Sequence, residues 1–393
     1  MRCEIGVIGN GAVGKATALG LAQAGLRVIL LSPQAVTQKT IQPEWDARVF
    51  ALNHTAKNLL TRLKVWDALD LQRVAPVESM QVFGSGLQTT SDSGLQLDAY
   101  AAHQEAMAWI VEGQNLNQAL DAALRFAPNV QIVVGKTRAM SPDFMDLSLE
   151  NGDVIEADLW VGADGAQSWV RNQAGIGLDY RSYGQRGVVA NFACAKPHHG
   201  IAHQWFIGEQ GVVALLPLPG QQVSLVWSTP EALAQTLMQE GVDLLAQRLA
   251  LFCDTVLGSL TPLPPQQVRS FPLNFISPHA IVGPHLALVG DAAHVVHPVA
   301  GHGMNLGFSD VVALLESVTE RESWRSCGDP RVLQRYARSR KEEVLLMQLT
   351  TDGLIRLFGI QSPMVQTGLK LGMNVLNQLP FLKNQLIQHA MGK

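Results

Sequence analysis

The run Gly9-Asn10-Gly11-Ala12-Val13-Gly14 constrains the fold of this chain more than any other feature. It follows a short apolar stretch, Glu4 to Ile8, and opens an Ala- and Leu-rich segment whose spacing predicts a helix over about Ala12 to Ala24. "LRVILL" then reads as a second buried strand, so the first 32 residues form the start of a βαβ unit. In that context each glycine has a task. The first makes the tight turn, the second lets a pyrophosphate approach the backbone, and the third allows close helix–strand packing. The backbone of Ala12 and Val13 completes the cradle, and the helix N-terminus favours phosphate charge. A GxGxxG run alone is weak evidence; between strand, helix and strand it predicts a dinucleotide site.

The second strand ends on Leu31, Ser32 and Pro33, where such sites usually carry a carboxylate for a ribose. Ser32 offers one neutral hydrogen bond instead. Loss of a charge-assisted bond costs about 1–3 kcal/mol, roughly ten- to a hundred-fold in affinity, and a site with other anchors survives it. Ser32 is therefore expected at the ribose, and Ser32→Glu is expected to tighten cofactor binding.

Two further glycine turns supply such anchors. "GADGAQSWVR" (Gly162 to Arg171) follows the apolar run "VIEADLWV". "GDAAHVVHPVAGHGMNLGFSD" (Gly290 to Asp310) follows "PHLALV" and leads through a Pro- and Gly-rich loop into a helix from about Met304. Backbone N–H groups and the positive end of that helix suit an electron-rich group. Three strand–Gly–helix turns together are much stronger evidence than any one of them.

Between these turns the pattern changes. Residues 46–72 read as helical, and 76–100 as Gly- and Ser-rich with strand-like pieces. "NLNQALDAALRFA" reads as a helix and "VQIVVG" as a strand. Residues 180–275 alternate as an antiparallel sheet does, with one helix near 230–252. The expected fold class is α/β: a Rossmann-like nucleotide-binding domain with an inserted antiparallel-sheet substrate domain and a helical C-terminus. The expected boundaries are 1–75, 101–179 and 276–350 for the nucleotide-binding domain, 76–100 and 180–275 for the substrate domain, and 351–393 for the tail.

Composition excludes several other classes. Hydrophobic residues make up 47% and charged residues 16%, which argues against disorder. A net charge of −4 gives no field to recruit nucleic acid. Cys3, Cys194, Cys253 and Cys327 form no CxxC pair and fit a reducing compartment. No signal peptide and no apolar run of about 18 residues is visible, so the chain reads as cytoplasmic. The tail is locally biased: from Gly353 on there is no Asp or Glu, and Arg356, Lys370, Lys383 and Lys393 sit among apolar residues. It reads either as helices packed on the body or as a contact for a membrane surface or a partner. The oligomeric state is not legible.

The three turns resemble the GxGxxG, DG and GD motifs of the class A FAD-dependent aromatic hydroxylases, whose fold is that of p-hydroxybenzoate hydroxylase. Within that class the chain resembles the ubiquinone-biosynthesis hydroxylase family. The likeness covers nearly the whole length, including "DARVFALNHTAKNLLTRLKVWDAL", "ALLPLPGQQVSLVWSTP", "SFPL", "LALVGDAAHVVHPVAGHGMNLG" and the tail segment "TTDGLIRLFG". By position, the resemblance implies that Gly9, Gly11 and Gly14 cradle the FAD pyrophosphate and that Arg48 lies near the cofactor. Asp164 and Gly165 would contact FAD and shape the reduced-nicotinamide approach, and Asp291 would hold the ribityl or pyrophosphate part. Pro298 and Gly301, His302, Gly303, Met304 and Asn305 would form the loop against the flavin ring, with Pro298, His302 and Gly303 nearest the chemistry. Three positions depart from the family: Ser32 stands for Glu, His302 for Gln, and Gly113 for Asn in several members.

The resemblance also implies a reaction. NAD(P)H reduces FAD and leaves, which agrees with the absence of a second dinucleotide fingerprint. The reduced flavin and O2 form a C4a-hydroperoxide that hydroxylates the ring of a polyprenylated phenol, in a pocket that excludes water. Val212 to Leu218 could supply the apolar lining. The family's setting implies peripheral contact with the inner membrane or with a multi-enzyme complex through the tail. Two alternatives stay open: a non-hydroxylating isoprenoid flavoprotein reductase, and a non-catalytic assembly protein of the quinone pathway.

His294, His297 and His302 cluster, but lack acidic or Cys partners at metal-ligand spacing, so no metal is expected. His302 is either a flavin contact or a satisfied loop histidine. Asp310 reads as a structural cap or a helix–sheet contact. Trp205 and Trp227 read as sheet packing, and Arg171 as either a phosphate ligand or the end of the DG segment.

Overall fold

A computed structural model describes residues 1–34, 44–84, 94–297 and 301–359, apart from the side chains of His302 and of residues 354–359. Pro298 and residues 360–393 lie outside that description, and with them most of the C-terminal tail.

Strand β1 (Arg2–Ile8), helix α1 (Ala12–Gln23) and strand β2 (Val28–Ser32) form the expected βαβ unit. β1 lies between β2 and Val154–Gly162, parallel to both. Val130–Val134 extends the sheet beyond β2, and Leu286–Leu288 extends it beyond Val154–Gly162, again in parallel. Strands that point the same way end on the same edge of the sheet. The residues after β1, Val154–Gly162 and Leu286–Leu288 are the three glycine turns, which therefore meet at one crevice.

The segment from 46 to 72 is not continuous helix. Val49–Leu52 forms strand β3, paired antiparallel with Ala108–Glu112, and helix α2 (His54–Arg62) begins only at the Asn53 cap. The Asn53 side chain accepts the Ala56 N–H at 3.0 Å, so the helix starts there. With Val74–Val77 these strands make a third, small sheet, whose Ala75, Val77 and Ile110 pack against Ala202 and Leu218 of the large second sheet. Helix α3 (Gly113–Arg125) follows that sheet, and the short α4 (Trp169–Gln173) follows the DG turn.

The second sheet is built on Leu178–Cys194, a 17-residue strand that pairs with Gln222–Pro230, Leu260–Pro262 and Arg269–Pro278. One pair departs from the expected antiparallel pattern: Ser79–Phe83 runs parallel to Ile201–Phe206, because a long excursion rather than a hairpin joins them. One face packs under helix α5 (Glu231–Leu257), which is non-helical at Gly241, and buries Phe192, Trp205, Leu215, Leu225 and Trp227. Burying side chains of this size contributes about 1.5–3 kcal/mol each. Trp205 and Trp227 are thus packing residues; Trp205 stacks on Phe83 at 5.5 Å.

Helix α6 (His302–Thr319) returns to the first sheet and packs so closely on α1 that a Cβ at Gly20 would lie 2.7 Å from Leu315 Cδ1. Helix α7 (Pro330–Gly359) runs through the expected start of the tail at 351 without a break. Asp352 on α7 accepts the Tyr183 hydroxyl at 2.6 Å and a bond from Arg181, which ties this helix to the second sheet.

Candidate functional site

The three turns lock into one another through their backbones. Gly9 has φ +120°, and a Cβ there would lie 2.2 Å from the Ala163 carbonyl oxygen, so only glycine fits. A Cβ at Gly14 would lie 2.1 Å from the Gly9 carbonyl. The Ala163 N–H donates to Ile8 O at 2.8 Å, and the Val289 N–H to Gly162 O at 2.9 Å. Val13 sits against Gly290 and Gly307, so its side chain is packing and only its backbone is left for the expected cradle.

Other glycines are open. A Cβ at Gly11, Gly165 or Gly303 would meet nothing within 4 Å. Gly11 caps α1 with no side-chain bond, and the first turn of α1 has no acidic residue, so its N–H groups stay available to an anion. Gly301, in the left-handed region at φ +68°, caps α6 in the same uncapped, acid-free way. Space at the glycines and unspent donors at two helix ends fit a dinucleotide that carries a flavin.

The two aspartates play different parts. Asp164 Oδ2 accepts the Val170 N–H at 3.0 Å, while its buried Oδ1 has no partner among the described residues. Asp291 reaches solvent yet is densely surrounded by protein. Burial pushes its carboxyl above the usual range, and His294 and Arg48 oppose that. Arg48 is exposed, with its guanidinium 5.2 Å over the Phe50 ring. The segment before it is fixed by Glu112, fully buried, which accepts from Arg73 at 2.8 Å and from the Asp46 N–H at 2.6 Å. Gly113 faces that segment: a Cβ there would lie 3.2 Å from Asp46 Oδ2.

Two expected ligand residues have their side chains spent elsewhere. The Ser32 hydroxyl, expected at a ribose, is buried against Asn10 and the Gln34 carbonyl. Asn305 donates to Ala51 O at 2.8 Å and accepts the Asn53 N–H at 3.0 Å, joining α6 to the start of α2. Met304 is half-buried against the first core, and Ala12 is buried. Arg171 is buried and donates to Ala166 O at 2.8 Å and Ala292 O at 3.0 Å, so it clamps the DG turn to the GD turn rather than facing a phosphate.

The histidines are each accounted for where their side chains are described. His294 Nε2 meets Asp310 Oδ2 at 2.7 Å. Burial alone would lower its pKa, but the Asp310 charge outweighs that and raises it. Asp310 also accepts the Gly290 N–H at 2.8 Å and Arg340 Nε at 2.7 Å, so it does cap the GD turn. His294 and Arg340 together overcome burial and hold its carboxyl below the usual range. His297 Nε2 meets Gln185 Oε1 at 2.9 Å, and burial lowers its pKa to about 4. Sequence reasoning missed Arg340, because nothing local distinguishes it from other helical arginines. It also missed the Asn53–Asn305 pair, although two asparagines at helix starts were a usable signal.

The second sheet turns its other face to this crevice. Alternation assigns Val213 and Leu215 to the core under α5, and Val212, Ala214 and Leu216, all half-buried, to the opposite face. On that face Leu216, like Val49 and Ala51, packs against the cluster of Ala75, Val77, Ile110, Ala202 and Leu218, and Asn191 Nδ2 donates to Asp46 O at 3.1 Å. So only every second residue of the expected lining from Val212 to Leu218 faces the nucleotide module. The same face carries Met80, Val82, Ala202, Gln204, Phe206, Ser224, Val226 and Phe271, and at the start of its strand the exposed Arg269, paired opposite Val189.

Comparison with known proteins adds independent information. Residues 2–347 match the family described as FAD binding domain. The chain is 33% identical to 3-demethoxyubiquinol 3-hydroxylase of Escherichia coli, over 99% of this chain and 98% of that protein. It is 32% identical to ubiquinone hydroxylase UbiL of Rhodospirillum rubrum, over 99% and 89%. Among solved structures it is similar to PqsL of Pseudomonas aeruginosa, a probable FAD-dependent monooxygenase, with a TM-score of 0.76, 19% identity and coverage of 94% and 99%. It is equally similar in fold to p-nitrophenol 4-monooxygenase PnpA of Pseudomonas putida, with a TM-score of 0.76, 18% identity and coverage of 99% and 98%.

Proposed function

Because this chain belongs to the FAD-dependent hydroxylase family of ubiquinone biosynthesis, we propose that it inserts oxygen into the ring of an uncharged polyprenylated phenol or quinol, with NAD(P)H as a transient co-substrate. The chain is a flavoprotein monooxygenase. When bound, FAD supplies the electron transfer that makes O2 reactive. The protein supplies position and environment. The open backbone at Gly11 and Gly165, with the α1 N-terminus, would receive the pyrophosphate, and Asp164 Oδ1 and Asp291 would take the hydroxyl-bearing part between phosphate and ring. The free N–H groups of Gly301, Gly303 and Met304 at the start of α6 would stabilise negative charge on the ring.

The apolar patch opposite these turns is the observation that carries the substrate reading. Val212, Ala214, Leu216 and Val226 would cover an aromatic ring and exclude water from it, and none of these four side chains would pair with a carboxylate. Purified protein reconstituted with FAD should oxidise NAD(P)H faster when a polyprenyl phenol is added, consume O2, and yield a product heavier by one oxygen. Stimulation by a ring carboxylate but not by its decarboxylated counterpart would overturn the reading. The hydroxylases and monooxygenases among the relatives favour oxygen insertion over a reductase or a scaffold.

Among the described residues no helix is long and apolar enough to cross a membrane. The acid-free, basic composition of residues 353–393 supports peripheral contact with a membrane or partner through the tail. Removal of that segment should shift the protein out of the membrane fraction with its flavin retained; unfolding on removal would instead make the tail part of the body.

A further inference from the structure

The end of β2 does not present Ser32 to a ligand. Asn10 Nδ2 donates to Ser32 Oγ at 2.7 Å, and Ser32 Oγ donates to the Gln34 carbonyl. The Gln34 N–H returns to the same hydroxyl at 3.4 Å, and the Ser32 carbonyl accepts the Gly135 N–H at 3.0 Å. A serine hydroxyl has one proton and two lone pairs, and these contacts use all of them. Because that proton goes to the Gln34 carbonyl, the contact with Asn10 must run from its amide NH2 to the hydroxyl. Ser32 is 0% exposed. Asn10 is the second residue of the GxGxxG turn, and the Gly9 N–H is also held by the Leu31 carbonyl at 3.1 Å.

We propose that Asn10 and Ser32 form a neutral brace, which ties the glycine turn to the end of β2 and so holds Gly11 in the open geometry a pyrophosphate needs. Ser32 is on this account a positioning residue and not a ribose ligand. The proposal rests on the FAD-binding reading above and reverses one consequence drawn from sequence. A glutamate at position 32 would have to leave a fully buried site beside the Gln34 carbonyl oxygen, breaking the brace, or stay there as a charge facing that oxygen.

Titration of flavin fluorescence with the apoprotein tests it, with unfolding of each apo variant measured in parallel. Ser32→Glu should weaken FAD binding by about tenfold or more. Ser32→Ala and Asn10→Ala should each weaken it about three- to tenfold, and the double variant no more than the worse single, since both remove one bond. Ser32→Thr keeps the hydroxyl and should restore affinity to within about threefold of the wild type. If Ser32→Glu does not fold, the Ala cycle and the Thr rescue decide. Tighter binding by Ser32→Glu, additive single effects, or weak binding by Ser32→Thr in a folded protein would each overturn the brace. A wild-type protein that takes up no FAD would remove the FAD reading itself, a different failure from an altered ranking of variants.

Discussion

Asp310 Oδ2 accepts the Gly290 N–H at 2.8 Å, so a carboxylate inside α6 fixes the turn that presents Asp291. The same carboxylate takes His294 on one oxygen and Arg340 on the other, all in a site closed to solvent. Three elements distant in the chain are thereby fastened at one point: the GD turn, α6 and α7. A buried charge is tolerable only when paired and hydrogen-bonded, as this one is. The arrangement places rigidity directly beneath the GD turn.

Asp310→Asn should therefore damage both stability and loading. It leaves Arg340 buried without its charge partner, which costs about 3–5 kcal/mol in systems of this kind. Urea unfolding of the apo form should register that loss, and the ratio of flavin to protein absorbance should fall. A change under about 1 kcal/mol would mean that water or Glu343 compensates Arg340.

Gly11 and Gly14 should separate binding from folding. Gly11 has φ −70° and open space at its Cβ, so Gly11→Ala should leave apo stability within about 1 kcal/mol while FAD affinity drops about tenfold or more. Gly14→Ala would drive a methyl into the Gly9 carbonyl and should destabilise the apo protein by about 1–3 kcal/mol or more. Equal effects of the two on folding would contradict this division.

Alternation along the second sheet predicts opposite outcomes for neighbouring strands' valines. Val226→Asp places a carboxylate on the half-buried face toward the crevice and should keep the flavin. Substrate kcat/KM should fall about a hundredfold, with NAD(P)H oxidation diverted to hydrogen peroxide. Val213→Asp lies under α5 and should yield insoluble protein. Retained, soluble, flavin-bound Val213→Asp would show the faces to be reversed.

His203 supplies a pH test. It is 3% exposed, and burial lowers its pKa from 6.5 to about 4. A folded pKa below the unfolded value means that the unfolded chain takes up the proton first. Its contribution to stability is present above pH ~6.5 and is lost as pH falls toward 4. Between pH 7 and 5 one such histidine costs about 2 kcal/mol. His203→Asn should flatten the acid limb of the stability profile by about that amount. His297 adds the same sign. His294, whose pKa is raised, acts oppositely: its contribution is full below pH ~6.5 and lost as pH rises through its folded value.

What the sequence determined by itself lies in short contiguous runs. Gly9, Gly11 and Gly14, the Asp164-Gly165 and Gly290-Asp291 turns and the strand–helix order around them were legible because backbone demands are met within a few residues. The βαβ start, α3 and the alternating second sheet followed from periodicity, whereas β3 did not. Four residues, Val49–Leu52, cannot declare a period, and their pairing with Ala108–Glu112 chose strand over helix. Tertiary structure alone decided which polar groups were free to meet a ligand. Ser32 was spent on Asn10, 22 residues away, and Arg171 on Ala292, 121 residues away. Asn305 was spent on residues more than 250 positions earlier. A hydrogen-bonding side chain has a small, fixed capacity, and only the folded chain shows which partner has used it.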